Sequence, residues 1–528
     1  MLIQQHFAQL LELARLSPVS TFFTLAILII SFQVIRLGLS PVRRFPGPVW
    51  AKLSSFWLAS QCRRTRRSEA VMQLHKRYGE FVRIGPNHIS INNPIAVTEI
   101  YGHGTGFTKS TFYDAFLQVT PVVFNARNVA EHTRKKRYVS PAFSTRALSE
   151  FEPYMDLELV HWKKKLLSMA DHTGTTQVDF VIWCMRPKIP HINRPHRLLT
   201  LLLLAIANFL AFDVISSFAF GEPFGFIGMA EDPYHLIETI DARGEVLNAI
   251  GTLSPYLRPL MKYHPFDSFW SSGMKARANF EKFGRQAYQR RKSVAESRKD
   301  LLSFLFSATD PDTANPLEED EIVAESISFI VGGSDTTSST MANFIDFVSR
   351  DPDLQSQLQQ EIDTVFPGHP DENWVPSEKE AVGVPLLVAT LREVMRLRPT
   401  SATGLERITP PGGRIIAGEY IPGKTVVSVP TVGIMMDPKV FDSPEEFKPQ
   451  RWLEPNSNKL LGSFFPFSTG PRACIGRNFA WMEILKAMVV IFKLFDIRRL
   501  NFNPTVIREG FFNKAAECNT EIQLRKLA

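Results

Sequence analysis

Hydrophobic residues recur at helical spacing through most of the chain after residue 48. The helical pattern gives way to short β-branched runs at "EFVRIGPNHISINN" and "RIIAGEYIPGKTVVSVP", where glycine and proline mark turns. Strands and helices do not alternate as they do in a doubly wound sheet. The pattern therefore predicts a mainly α fold with small β-sheets. It places helices over Glu69–Tyr78, Glu131–Pro141, Asp241–Ile250, Ser268–Lys299, Glu318–Arg350, Asp353–Phe366, Val382–Arg398 and Arg477–Phe495.

The N-terminal stretch differs, because residues 19–35 ("VSTFFTLAILIISFQVI") carry no charge and basic residues cluster after them. A run of this length is at the short end of what spans a bilayer, and positive residues tend to stay on the cytosolic side. We interpret 1–18 as a lumenal N-terminus, 19–36 as a transmembrane signal anchor, 37–48 as a proline-containing hinge and 49–528 as one cytosolic domain. A cleaved signal peptide and a buried helix are the alternatives.

Composition and charge narrow the class of protein. With 528 residues, 44% of them hydrophobic, the chain has ample material for a packed core. Its four cysteines are scattered, which disfavours a disulfide scaffold and favours a reducing compartment. The net charge of +7 suits an anionic membrane surface or an acidic protein partner, and no nucleic-acid-binding motif is present.

One cysteine, Cys474, lies in the segment "FSTGPRACIG". A haem thiolate needs a tight loop that approaches a flat macrocycle and points backbone N–H groups at sulfur, and Gly470 and Gly476 suit both needs. Arg472 is placed to bind a haem propionate, and Phe467 to cover the sulfur. An isolated cysteine is more often a small buried hydrophobe. The spacing Phe-x-x-Gly-x-Arg-x-Cys-x-Gly, however, resembles the haem-binding loop of the cytochrome P-450 superfamily.

Two further motifs extend the resemblance. Glu393 and Arg396 in "LREVMRLRP" share a helix face, which alone indicates an ordinary surface pair. In the superfamily this pair joins an arginine from a later loop, and "FKPQRW" supplies Arg451. The resemblance implies a buried structural triad in which loss of one member strands a buried charge.

The segment "FIVGGSDTTSST", residues 329–340, places glycines and polar groups inside an apolar helical pattern. A helix end or an exposed turn is the plainer explanation. In the superfamily the matching helix crosses the oxygen-binding face of haem. The resemblance implies that Gly333 leaves room for dioxygen and that Asp335 and Thr336 are catalytic proton donors.

Three more residues are implied to contact the haem propionates. His132 and Lys136 lie in "EHTRKKRYVSPAF", which is similar to the family's propionate-binding helix, and Arg407 lies in "GLERIT". A run of charged residues is otherwise more often a solvated face.

The resemblance implies the cytochrome P-450 fold and a haem-thiolate monooxygenase that carries haem b. Such an enzyme inserts one oxygen atom of O2 into a C–H bond of a hydrophobic small molecule. In composition and in short segments the chain resembles filamentous-fungal members of the superfamily. This similarity favours a role in fungal secondary metabolism and an aromatic, polyketide-like or terpenoid substrate. The implied partners are an NADPH–cytochrome P-450 reductase and membrane lipid, with the chain a single-pass protein of the endoplasmic reticulum. Alternatives are an oxygen-independent haem-thiolate isomerase or dehydratase, and a non-functional haem protein.

Residues 184–206, "CMRPKIPHINRPHRLLTLLLLAI", interrupt the resemblance. They combine prolines and a basic cluster with a leucine run that has no polar face. One interpretation is a hydrophobic insertion that dips into the membrane. The other, which we favour, is a short intron retained in frame. If translated, the segment is expected to disturb packing near the substrate and to leave the Cys474 loop intact; such a disturbance underlies the non-functional alternative.

Overall fold

The computed structural model describes residues 35–171, 175–179, 206–262, 264, 267–294 and 298–526, together with Thr24, Ile27 and Ser31. The helices are α1 (Val49–Leu53), α2 (Phe56–Arg63), α3 (Arg67–Tyr78), α4 (Pro94–Tyr101), α5 (Val129–Val139), α6 (Thr145–Asp171), α7 (Ile206–Phe220), α8 (Phe226–Met229), α9 (Leu236–Thr252), α10 (Arg258–Lys262), α11 (Ser268–Ser293), α12 (Leu301–Ser307), α13 (Glu319–Val348), α14 (Pro352–Val365), α15 (Glu378–Val382), α16 (Pro385–Leu397), α17 (Thr431–Met435), α18 (Asn458–Leu461) and α19 (Arg477–Leu494). The strands are β1 (Phe81–Gly85), β2 (His88–Ile91), β3 (Thr108–Lys109), β4 (Thr175–Asp179), β5 (Arg407–Ile408), β6 (Arg414–Ile416), β7 (Glu419–Ile421), β8 (Val426–Ser428), β9 (Phe495–Arg499), β10 (Ile507–Glu509), β11 (Asn513–Ala515) and β12 (Asn519–Leu524).

The prediction of a mainly α fold with small sheets is confirmed. Each predicted helix is present, and three depart most from their predicted bounds. The helix predicted over Asp241–Ile250 begins earlier, at Leu236. The helix predicted over Ser268–Lys299 ends at Ser293. The helix predicted over Val382–Arg398 begins at Pro385 as α16, and Val382 is the last residue of the separate helix α15. Proline suits the first turn of a helix, because an N–H there has no hydrogen-bond partner within the helix.

The described part of the chain contains four small sheets among its helices. The largest has the strand order β1-β2-β8-β5-β3, in which only the β2–β8 pair is parallel. The second joins β4, β12 and β9, and β6–β7 and β10–β11 are isolated hairpins. The predicted hinge at 37–48 packs onto the first sheet: Val42 and Phe45 are buried in one cluster with Ile89 and Ile91.

The main core forms where α7 crosses α13. From residue 207 to 220, α7 is buried on every side, as expected for a helix that is apolar all round. Asp213 on α7 accepts the backbone N–H groups of Gly225, Phe226 and Ile227 at 2.8, 3.0 and 2.8 Å, which fixes the following loop. These contacts position α7 directly above the central turns of α13.

Two predicted segments fall largely outside the described residues: the lumenal segment 1–18 with most of the anchor 19–36, and the insertion 184–206 up to its last residue, where the backbone of α7 begins. Among the residues described, no helix has the length and apolar character needed to cross a bilayer.

Candidate active site

The loop before α19 carries Cys474 to one wall of a cavity. Gly470–Arg472 forms a single 3-10 turn, and the backbone N–H of Cys474 donates to the carbonyl of Phe467 at 2.9 Å. Gly470 has a φ of 72°, and a Cβ there would lie 1.9 Å from the carbonyl oxygen of Tyr101. Glycine is therefore required for the loop to pass this close to α4.

The Cys474 thiol has a mixed electrostatic environment. Burial raises its pKa, while the backbone N–H of Gly476 and the charge of Arg477 act in the opposite direction. Cys474 also lies just before the first turn of α19, where the helix dipole favours negative charge. Phe467 packs beside the loop, with the Arg477 guanidinium 5.8 Å from its ring centroid.

The middle of α13 forms another wall of the same cavity. The Thr336 hydroxyl donates to the carbonyl of Gly332 at 2.7 Å, so the polar segment stays within a continuous helix. A Cβ at Gly332 would meet no atom within 4 Å, whereas one at Gly333 would lie 2.4 Å from Cδ1 of Ile215 on α7. The expectation that Gly333 provides the open space is therefore corrected: that space lies at Gly332, and Gly333 allows α7 and α13 to pack.

The two walls enclose one cavity of about 320 Å³. Of the residues predicted from the sequence, it brings together Phe467, Arg472, Cys474, Gly476, Asp335, Thr336, His132 and Arg407. Much of the remaining lining is aromatic and aliphatic, and includes Phe116, Val122, Phe124 and Phe511. A cavity with apolar walls and a few polar groups suits a hydrophobic small molecule.

Asp335 is buried at the edge of this cavity in a carboxylate–ammonium–carboxylate arrangement. Lys514 on β11 lies 2.8 Å from Oδ1 of Asp335 and also binds Asp241 on α9. Burial raises the pKa of Asp335 to about 6, with the Lys514 ammonium lowering it and the Asp241 carboxylate raising it. Asp335 can thus exchange a proton near neutral pH.

Four basic side chains line another part of the cavity: Lys109, His132, Arg407 and Arg472, here called the haem-edge cluster. Burial, reinforced by the neighbouring cations, lowers the pKa of His132 to about 3 and that of Arg472 to about 10. Arg472 Nη1 donates to the carbonyl of Ala126 at 2.6 Å, and Arg407 Nη1 donates to the Tyr113 hydroxyl at 3.1 Å. The cluster holds positive charge without an acidic partner among the described residues.

The sequence profile described as cytochrome P450 matches residues 44–514. The chain belongs to this family. It is a P450 monooxygenase, an oxidoreductase, and its cofactor is haem.

Several fungal P450s are similar to the chain over nearly their whole length. Benzoate 4-monooxygenase bphA of Aspergillus niger is 34% identical over 94% of this chain and 96% of its own. The cytochrome P450 monooxygenase ORF11 of Penicillium roqueforti is 30% identical over 93% of this chain and 96% of its own. The monooxygenase atnE of Emericella nidulans is 28% identical, with 88% of each chain covered.

The residues of this P450 fit a haem between the two walls. Cys474 offers a thiolate to the same cavity in which Gly332 leaves open space. In the haem-edge cluster, Arg472 Nη2 is buried without a hydrogen-bond partner among the described residues, as is the hydroxyl of Ser468 in the cysteine loop. Because haem carries two propionates, it would bring the anions that this cluster lacks.

The expectation for Lys136 is not matched by the geometry. Its ammonium donates to the carbonyl of Pro471 at 3.0 Å, and the side chain is not among those that line the cavity. Lys136 therefore holds the turn that precedes Cys474. Arg137, its neighbour in the same basic run, is exposed and lies 3.7 Å from Asp312.

The structure brings Glu393, Arg396 and Arg451 into one buried network. Glu393 accepts from Nε and Nη2 of Arg396, each at 2.8 Å, and from Nε of Arg451 at 3.0 Å. The indole N–H of Trp452 and the backbone N–H of Lys448 donate to the same carboxylate at 2.9 and 3.0 Å. Arg396 also donates to three carbonyls in the segment that leads to Arg451, so the network ties α16 to that segment.

Several charged residues of the site were not singled out from the sequence, among them Lys109, Arg243 and Lys514. None of these three lies in a recognisable motif, and each reaches the cavity from a different element, β3, α9 or β11. Lys109 and Lys514 each stand among aromatic residues, in "FTKSTF" and "GFFNKA". Because a lysine is seldom buried unless it has a partner, a lysine in an aromatic segment was the available signal of a specific site.

Proposed function

We propose that this P450 inserts one oxygen atom of O2 into a C–H bond of an aromatic small molecule in fungal secondary metabolism. The observation that carries the proposal is that Cys474 and the pair Asp335–Thr336 line the same apolar cavity. Aromatic side chains on the remaining walls suit a flat, hydrophobic substrate. The relative named benzoate 4-monooxygenase supports an aromatic substrate class.

The chain's own residues have distinct tasks in this proposal. Cys474 would hold the haem iron through its thiolate, and Arg472, Arg407 and His132 would hold the haem carboxylates. Haem, when bound, supplies the activation of O2, which a thiolate ligand favours by donating electron density. Gly332 leaves open space in the cavity. The Thr336 hydroxyl and the Asp335 carboxyl would donate the protons that the reduction of O2 consumes, and Asp335 would recover its proton near neutral pH.

We also propose how the enzyme is placed and supplied with electrons. The apolar stretch at 19–36 anchors the chain in the endoplasmic reticulum membrane, with residues 49–528 in the cytosol. Electrons come from NADPH through a separate cytochrome P-450 reductase. The test compares the membrane association of two fusions to a fluorescent protein, one of the full-length chain and one of a chain that lacks residues 1–36. Equal membrane association of both would contradict it.

The test of the reaction compares wild-type holoprotein with Cys474→Ala. Wild type should give the red-shifted ferrous–CO Soret band of a thiolate-bound haem, and the variant should lose it. Substrate turnover should consume NADPH and O2 together. Turnover without O2 would instead indicate a haem-thiolate isomerase or dehydratase, and folded wild-type holoprotein without the band would indicate a non-functional protein.

A further inference from the structure

Arg243 is a buried cation on the cavity wall. The side chain lies on α9, is 7% exposed and lines the cavity. Its Nε and Nη2 donate to one neutral acceptor, Oε1 of Gln118, at 3.3 and 3.2 Å. Its guanidinium lies 5.6 Å from the ring centroid of Phe280. Within the part of the chain that the structure describes, no carboxylate forms an ion pair with it.

The surroundings of Arg243 oppose its charge. Burial and the neighbouring charge of Arg277 together lower its pKa to about 10, while the Asp335 carboxylate acts in the opposite direction. A buried charge is retained when it is paired, because desolvation is otherwise expensive. A residue held in this way at a ligand cavity calls for an anion that arrives with the ligand.

Two other cations that line the cavity, Lys514 and Arg508, already have carboxylate partners on α9. Lys514 is shared by Asp241 and Asp335, and Arg508 makes a two-point ion pair with Glu245 at 2.7 and 3.0 Å. Arg243 stands between these pairs on α9 and takes part in neither.

Different contacts hold Arg243 and the haem-edge cluster. In the cluster, Arg472 donates to the Ala126 carbonyl and Arg407 to the Tyr113 hydroxyl. Arg243 donates instead to Gln118. We therefore treat Arg243 as a positive group of the cavity apart from the cluster that suits the haem carboxylates.

Aromatic side chains share the cavity with Arg243, and a Cβ at its chain neighbour Gly244 would lie 3.9 Å from the backbone nitrogen of Phe511. Gln118, its hydrogen-bond partner, is two residues from Phe116, whose ring centroid lies 4.7 Å from that of Phe511. Phe124 completes the group, 5.4 Å from Phe511 and 5.7 Å from Phe116. These three rings line the cavity and offer an aromatic ligand an apolar surface next to a guanidinium.

We propose that Arg243 binds the carboxylate of an aromatic acid substrate, with the ring of the acid against Phe116, Phe124 and Phe511. The inference rests on the proposed monooxygenase function and adds to it the anionic group and the residue that recognises it. A guanidinium offers a carboxylate two parallel N–H donors in a fixed plane. The acid group would be held at α9, and the hydrophobic end of the ring would be free to point toward the haem.

The test measures binding of 4-methylbenzoate and of its neutral counterpart, 4-methylbenzamide, to holoprotein by the shift of the Soret band and by calorimetry. Wild type should prefer the acid. Arg243→Met should weaken acid binding on the order of 30-fold or more, since it removes a buried charge partner, and change amide binding by less than about 3-fold. Arg243→Lys should be intermediate, because an ammonium lacks the planar pair of donors.

Arg498→Met is the matched control, because Arg498 is exposed and paired with Glu521 on the surface. It should leave binding of both ligands unchanged. The ferrous–CO band of every variant reports folded, haem-loaded protein. A wild type that binds neither ligand, or the amide more tightly, would overturn the inference, as would equal losses of both ligands in Arg243→Met.

Two further outcomes separate this inference from its neighbours. Selective loss of haem from Arg243→Met would mean that Arg243 binds a haem propionate, and would also overturn the proposal. Absence of the thiolate-type CO band from wild type would refute the proposed function itself. Unchanged acid binding in an Arg243→Met variant that retains the band would refute only the role of Arg243.

Discussion

The buried network around Glu393 gives an asymmetric prediction. One carboxylate serves two guanidiniums, those of Arg396 and Arg451, which are 0% and 5% exposed. Arg451→Met leaves Glu393 paired with Arg396 and removes hydrogen bonds to charged groups, which cost about 1.5–3 kcal/mol. Glu393→Leu strands both guanidiniums, and breaking a buried pair in this way costs ~3–5 kcal/mol.

Two orphaned donors add to the cost of Glu393→Leu. The indole N–H of Trp452 and the backbone N–H of Lys448 lose their acceptor, each a penalty of about 1–3 kcal/mol when buried. Because domains are stable by roughly 5–15 kcal/mol, this variant should be barely folded, whereas Arg451→Met should remain foldable. The triple replacement of Glu393, Arg396 and Arg451 by Leu, Met and Met should cost less than the sum of its parts.

Urea unfolding of holoprotein, followed by circular dichroism, measures these differences. Glu281→Ala, at the partly exposed pair with Arg285, is the control and should cost no more than ~1 kcal/mol. Burial alone would raise the pKa of Glu393, but Arg396 and the other donors bring it below 4.5. The network's contribution is thus complete above that pH and lost as pH falls through the lower, folded pKa. The reasoning fails if Arg451→Met costs as much as Glu393→Leu.

Four other predictions concern separate places in the chain. Lys514→Met should raise the pKa of Asp335 and move the alkaline fall of kcat to higher pH; an unchanged pH–rate profile would contradict their coupling. Burial raises the pKa of Glu483 well above 4.5, so wild-type stability should fall as pH rises from 4.5, and thermal unfolding of Glu483→Gln should lack that fall. Gly333→Ala should lower stability by about 1–3 kcal/mol against Ile215, while Gly332→Ala, its control, should not; equal melting temperatures would refute this. Mature transcripts should lack the codons for residues 184–206, and their presence in most transcripts would exclude a retained intron.

Local motifs allowed much of the site to be predicted. Cys474 and Gly470 are constrained by a loop of ten residues, and Glu393 and Arg396 by one helical turn, so their spacing alone is informative. Arg451 could be predicted only through the family resemblance, since its partner lies 58 residues away. Helix positions followed from apolar periodicity in the same way.

Long-range packing decided what the sequence did not reveal. Lys514 reaches Asp241 across 273 residues, and Arg243 meets Gln118 across 125. The difference between Gly332 and Gly333 depends on where α7 crosses α13, which no pattern within either helix specifies. Lys136 and His132 lie one helical turn apart in the same basic run, yet only His132 reaches the cavity, because the Pro471 carbonyl binds Lys136.

The ion pairs that join α9 to the C-terminal hairpin have a mechanical consequence. Asp241 and Glu245 are one turn apart on α9, and each is held by a cation of the β10–β11 hairpin, Lys514 or Arg508. An outward movement of α9 that widens the cavity must break both ion pairs at once. Lys514 would then pair with Asp335 alone, so opening of the cavity and a change in the electrostatic environment of Asp335 would occur together.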